Sequence, residues 1–83
     1  MPKPVAFITG IAGFAGSYLA EELLAHGYRV CGSLYPGEST ENLASVLDHV
    51  NLMKLDILDP ERCVSSIAAF EPEYLFHLAA ISS

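Results

Sequence analysis

Basic charge is what this 83-residue chain has least of. Lys3, Arg29, Lys54 and Arg62 stand against ten Asp and Glu, for a formal net charge of −6. The four are scattered, whereas a surface that tracks phosphates needs clustered Lys and Arg, so nucleic acid is excluded as a partner. Long apolar runs are missing as well. No stretch approaches the roughly 18 residues of a membrane span, and the N-terminus enters a strand pattern without the layout of a signal peptide. Cysteine is limited to Cys31 and Cys63, which have no metal-type spacing. They read as two buried, reduced thiols of a cytoplasmic protein. His26, His49 and His77 form no pair at metal-ligand spacing. Internal repeats, low-complexity tracts and linkers are absent, and the length sets one domain as the ceiling. A chain this short buries only about 60–65% of its unfolded surface, which makes its stability marginal.

What is present is an apolar content of 52%, arranged as alternating strand and helix patterns. Val5–Thr9 is a continuous apolar run suited to a strand buried on both faces. Phe14–His26 carries a helical stripe at Ala15, Leu19 and Leu23, with Glu21 and Glu22 off it in solvent. Gly27 sits at the C′ position that ends a helix. Arg29–Leu34 is a second strand, weakened by Gly32, and Pro36-Gly37 marks a turn. The spacing of Leu43, Val46, Leu47 and Val50 predicts a short helix near Thr40–Asp48, capped by Ser39 or Thr40. Asn51–Leu55 is a third strand. Asp59 at an N-cap and Pro60 at the first helical position start a helix whose buried stripe is Val64, Ile67 and Ala68. Glu71-Pro72 stops it, and Tyr74–Leu78 is the fourth strand. This alternation implies an α/β fold with a parallel sheet.

The chemistry is concentrated in Val5 to Gly16. A buried strand runs into Gly10, Gly13 and Gly16, spaced three apart, and a helix begins at once. Backbone N–H groups point outward at a helix N-terminus, where the dipole places roughly half a positive charge. Glycines allow a tight turn and close approach of a diphosphate to the backbone. A lone glycine pattern is weak evidence, but a strand before it and a helix after it are the context that dinucleotide binding requires. Phe14 is expected to fix the glycine turn against the sheet. His77 reads as a hydrogen-bonded strand histidine, and His26 and His49 as solvent-facing residues near helix C-termini.

Thr9-Gly10-Ile11-Ala12-Gly13-Phe14-Ala15-Gly16 resembles the TGxxGFxG signature of the extended short-chain dehydrogenases/reductases, the NAD-dependent epimerases and dehydratases. Leu55-Asp56-Ile57-Leu58-Asp59 resembles the family's segment at the end of strand three, and Phe76-His77-Leu78-Ala79-Ala80 its strand-four motif. Within the family the chain looks most like GDP-mannose 4,6-dehydratases and GDP-4-keto-6-deoxymannose reductases. The resemblance implies the N-terminal half of a Rossmann-type doubly wound sheet with strand order 3-2-1-4. It implies a site for NAD or NADP formed by Gly10, Gly13, Phe14, Ala15 and Gly16. Asp56 would take the adenine amino group beside Ile57, and Leu78, Ala79 and Ala80 would line the ribose and nicotinamide. Residues 1–83 are then a partial cofactor-binding domain without a substrate domain, and a nucleotide sugar is a partner only of a full-length protein.

Two departures from the family pattern stand out. The end of strand two, where an Asp or Glu usually takes the ribose 2′-hydroxyl or an Arg a 2′-phosphate, reads Ser33-Leu34-Tyr35. Glu38 lies past the Pro36-Gly37 turn, which makes it a poor candidate, and NAD against NADP stays open. Tyr18, Tyr28, Tyr35 and Tyr74 also have no Lys four residues on, so the family's Tyr-x-x-x-Lys acid–base pair is not in this chain. Ser82 and Ser83 stand where family members approach the nicotinamide and sugar. The alternative reading is a non-catalytic fragment that binds cofactor weakly or only self-associates. Strand four, Tyr74–Leu78, would have an unpaired edge, which predicts a homo-oligomer or a partner chain covering it.

Overall fold

The computed structural model describes residues 3–55 and 59–78. Strands β1 (Val5–Thr9), β2 (Arg29–Leu34), β3 (Val50–Lys54) and β4 (Tyr74–His77) form one sheet in the order β3-β2-β1-β4. All pairings are parallel, with Ile8 beside Gly32 and Phe76, and Leu34 beside Lys54. Helix α1 (Phe14–Ala25) links β1 to β2, and helix α2 (Pro60–Ala68) links β3 to β4.

Alternation along the strands divides the core in two. Ile8, Val30 and Leu34 face the α1 side with Ile11, Ala12, Ala20 and Leu43. Phe7, Cys31 and Leu55 face the α2 side, packed by Met53, Cys63, Ile67 and Phe70. A sheet covered by a helix on each face is the doubly wound arrangement that the alternating pattern implies. Neither cysteine is in a disulfide among the described residues; Cys31 is buried as expected, whereas Cys63 is only half-buried because it lies at the margin between α2 and the sheet. Burial pushes the Cys31 thiol above its ordinary pKa, partly offset by the Asn51 side chain and the Arg29 charge.

α1 ends as Gly27 predicts. The Tyr28 N–H donates to Leu23 O and the Gly27 N–H to Leu24 O, the paired bonds of a Schellman motif. Its buried face differs from the expected stripe. Gly16, Ser17 and Ala20 are buried, Leu19, Leu23 and Leu24 pack at the margin, and Ala15 is exposed. Small residues on the inward face let the helix axis come close to the sheet, which rotates the larger side chains to the flanks.

α2 starts as expected, with Asp59 accepting from the Arg62 N–H at 3.3 Å and Pro60 in the first turn. Its inward face is Cys63, Ile67 and Phe70, the last ring 5.6 Å from that of Phe7. Val64 and Ala68, placed in the buried stripe by spacing, are exposed. The aromatic anchor at Phe70, just past the helix, sets the rotation.

The helix predicted near Thr40–Asp48 is replaced by two single 3₁₀ turns, Glu41–Leu43 and Leu47–His49. Every backbone bond here spans three residues: Leu43 N–H to Thr40 O, Val46 N–H to Leu43 O, His49 N–H to Val46 O. A short segment cannot nucleate an α-helix on its own, and fixing Leu43 in the core favours the tighter turn. Ser39 still acts at its start, its Oγ accepting from the Glu41 N–H at 3.1 Å. Val50, read as the last helical apolar residue, opens β3 instead.

Candidate functional site

The C-terminal ends of β1, β2 and β4 converge on the glycine turn. Gly10 follows β1 with φ 73°, a left-handed conformation that glycine adopts without penalty. The Gly10 and Ile11 N–H groups both donate to Ser33 O, at 3.1 and 3.2 Å, which ties the turn to the end of β2. Ile11 folds inward over Gly32, where an added Cβ would lie 2.5 Å from Ile11 Cδ1. The gap in β2 left by Gly32 is therefore the seat of Ile11. From the loop after β2, Asn42 Nδ2 donates to Ala12 O at 2.9 Å and holds the turn from the other side. Phe14, expected to do this packing, is 86% exposed and does not. Its place at the first position of α1 aims it away from the sheet.

The three glycines of the motif separate into different roles. A Cβ on Gly16 would collide with Gly10 O and come within 2.7 Å of Ile11 Cα, so that glycine is required by the packing of α1 against the turn. Among the described residues a Cβ on Gly13 would meet only Gly10 O, at 3.6 Å, an ordinary contact. Gly13 is the N-cap of α1 in extended geometry, with no side-chain cap and no acidic residue in the first turn. Among the described residues no acceptor reaches the N–H groups of Phe14, Ala15 and Gly16. A helix N-terminus left uncapped and uncharged is open to an external anion.

On the other flank, Thr9 and His77 close β1 onto β4. Thr9 Oγ1 and His77 Nδ1 are hydrogen-bonded at 2.8 Å, as expected of a strand histidine. The Leu78 N–H donates to both Thr9 O, at 3.1 Å, and Thr9 Oγ1, at 3.0 Å. Leu78 is thereby held beside the glycine turn. Asp56, Ile57, Ala79 and Ala80 lie outside the described residues, as do Ser82 and Ser83. Thr9 and Ile11 belong to the glycine motif but have no role assigned by the sequence, and Asn42 is not singled out by it at all. Their partners lie 68, 21 and 30 residues away along the chain, and no local pattern signals such contacts. His26 and His49 are exposed, and His26 Nε2 lies 3.7 Å from Glu22 Oε2. Among the described residues no three His, Cys, Asp or Glu side chains gather into a metal-type group, and no helix is long and apolar enough to cross a membrane.

A turn of this kind at the carboxyl ends of parallel strands, beside the point where the chain order reverses, is where open α/β sheets place ligands. Comparison with known proteins agrees in fold and in sequence. A UDP-glucose 4-epimerase of Mycolicibacterium smegmatis is 44% identical over 77 residues, covering 88% of this chain and 24% of its own. The solved UDP-glucose 4-epimerase of Thermotoga maritima, with UDP-glucose, superposes with a TM-score of 0.78 at 32% identity over 95% of this chain and 25% of its own. The Bordetella bronchiseptica enzyme WbmH in complex with NAD+ gives a TM-score of 0.76 at 28% identity, over 92% of this chain and 26% of its own. The chain thus spans a quarter of the length of the curated relatives and solved structures it matches. The family model for GDP-mannose 4,6 dehydratase matches residues 7–83. That match takes in the glycine turn, both helices and all four strands from Phe7 onward, and the chain belongs to the GDP-mannose 4,6 dehydratase family.

Proposed function

We propose that residues 1–83 are the cofactor-binding part of a nucleotide-sugar dehydratase, reductase or epimerase, and that the whole protein acts on a GDP-mannose-derived sugar. The ligand of this part is NAD or NADP. Its diphosphate sits against the backbone of Gly10, Gly13, Phe14, Ala15 and Gly16. The Asp56 carboxylate takes the adenine amino group beside Ile57, and Leu78, Ala79 and Ala80 line the ribose and nicotinamide. When bound, the dinucleotide supplies hydride exchange with a sugar carbon. The chain's own contribution is to bind and orient it. With no Tyr followed by Lys four residues on, the proton-transferring pair of the family comes from outside these residues. The reading places the protein in the cytoplasm and assigns a second copy or partner chain to the edge at Tyr74–Leu78.

The observation that carries this reading is Gly13. Among the described residues nothing requires glycine there, and a Ser, Asp or Asn would cap α1 better. A bare N-cap in front of unpartnered amides is explained by a ligand that occupies the space. The binding of NAD+ by WbmH, alike in fold and 28% identical, supports the same reading.

Calorimetric titration of the purified chain with NAD and NADP tests it. The unmodified chain is expected to saturate with at least one of them. Gly13→Val is expected to lose saturable binding. Gly13→Ser is expected to lose it too, while its folded state keeps or gains a few tenths of a kcal/mol from the new cap. Affinity unchanged in both variants would refute the assignment.

A further inference from the structure

Gly13 gives α1 a choice of starting point. It stands before the helix in extended geometry, with φ −75° and ψ 174°. Its carbonyl accepts the first helical bond, from the Ser17 N–H at 2.9 Å. Were Gly13 to turn helical, Ala12 O would accept from the Gly16 N–H, the ordinary bond between residues four apart, and α1 would begin one residue earlier. With no Cβ, Gly13 passes between the two states at little steric cost. The longer helix would consume the Gly16 N–H, one of the three amides that the present start leaves open to an anion.

Asn42 decides between them. Its Nδ2 donates to Ala12 O at 2.9 Å, and among the described residues that oxygen has no other partner. At the other end of the same peptide, the Gly13 N–H donates to Gly10 O at 3.2 Å. The Ala12–Gly13 peptide plane is thus held on both sides, once from within the turn and once by a side chain 30 residues away in sequence. Asn42 is itself well anchored. It lies in the 3₁₀ turn Glu41–Leu43, and the neighbouring Leu43 is fully buried in the same cluster as Ile11 and Ala12. A neutral amide suits the task, because it supplies a donor and adds no charge beside an anion site. From these observations we infer that Asn42 is a positioning residue of the site. By engaging Ala12 O it holds the helix start at Gly13 and keeps the Gly16 N–H free for the diphosphate, without touching the ligand. This rests on the reading of the glycine turn as a dinucleotide site.

The experiment measures two things on the unmodified chain, Asn42→Ala, Asn42→Asp and Val46→Ala. One is calorimetric affinity for NAD and NADP. The other is amide hydrogen exchange of the unliganded chain by NMR, with thermal unfolding as the control for folding. Asp keeps the shape of Asn and removes the donor. Val46 packs at the margin of the same core from the same segment and makes no hydrogen bond to the glycine turn, so its variant reports loss of stability alone. Asn42→Ala is expected to weaken the bound dinucleotide by about tenfold, the effect of one hydrogen bond whose partner is left buried. In both Asn42 variants exchange at Gly16 is expected to slow and exchange at Gly13 to quicken, as the helix start moves. A purely structural loss would quicken both. Val46→Ala is expected to lower the thermal midpoint and leave affinity within about twofold, since it removes packing and no bond of the turn. Unchanged affinity in Asn42→Ala, Gly16 exchange that does not slow in either Asn42 variant, or an equal loss of affinity in Val46→Ala would each overturn the role of Asn42 while leaving the dinucleotide site standing. Failure of the unmodified chain to bind either dinucleotide would overturn the site and this inference together.

Discussion

Gly10, Gly13, Gly16 and Gly32 show how one residue type serves four purposes within a few ångströms. Gly10 supplies a left-handed bend, Gly16 close approach of a helix, Gly32 a seat for Ile11, and Gly13 an uncapped helix start. The Gly16 assignment makes a prediction opposite to helix propensity. Alanine is favoured over glycine inside a helix by about 1 kcal/mol. At Gly16, however, the added Cβ meets Gly10 O and Ile11 Cα, both backbone atoms that cannot rotate away. Gly16→Ala is therefore expected to destabilise the chain by about 2 kcal/mol net, the cost of overpacking. Urea unfolding measures it, and a variant as stable as the parent would show that the turn is looser than described. The three-residue spacing of Gly10, Gly13 and Gly16 is visible in the sequence. The distinction between a glycine that packing requires and one that it does not is not, because it depends on which atoms stand opposite each Cα.

At the scale of elements, the strands and the caps were legible and the helix faces were not. Strand cores follow from short apolar runs bounded by turns, and Asp59-Pro60 and Gly27 mark helix ends through hydrogen bonds made within five residues. The faces of α1 and α2 depend on the sheet they meet, so spacing alone chose Ala15 and Val64 where the structure turns Gly16 and Cys63 inward. The end of α2 carries a local cost. Glu71 has φ 49°, the left-handed region that side-chain-bearing residues avoid by about 1–2 kcal/mol. Glu71→Gly relieves that cost but raises the entropy of the unfolded chain. The expected balance is a gain of about 0.5 kcal/mol, read as a higher thermal midpoint. A lower midpoint would mean that the Glu71 side chain contributes more than its backbone geometry loses.

For the whole molecule, the open question of chemistry is at the sheet edge. Among the described residues β4 is paired on one side only, by β1. Leu75 on it is 55% exposed, and the Tyr74 ring is covered on one side by Tyr28, 5.7 Å away. An unpaired edge bearing apolar side chains recruits another strand. Light scattering of the 83-residue chain is expected to show concentration-dependent association, and Leu75→Lys, which puts a charge on the edge, is expected to reduce it without changing dinucleotide affinity. A folded monomer at high concentration would show that this edge is satisfied in another way. The chain spans about a quarter of the length of the relatives it matches.

Charge balance, the alternation of strands with helices, the glycine turn and the helix caps are all written in short stretches of residues, because each depends on groups within one or two turns of each other. From them follow a parallel α/β sheet and the expectation of a dinucleotide, while the order 3-2-1-4 follows from the family resemblance and is the order observed. The seating of Ile11 on Gly32, the grip of Asn42 on Ala12, the Thr9–His77 bond and the exposure of Phe14 exist only once distant segments are packed. The turn at Glu38 belongs to both groups: its bonds with Tyr35 are local, while its place near the glycine turn is created by the packing of β2 beside β1.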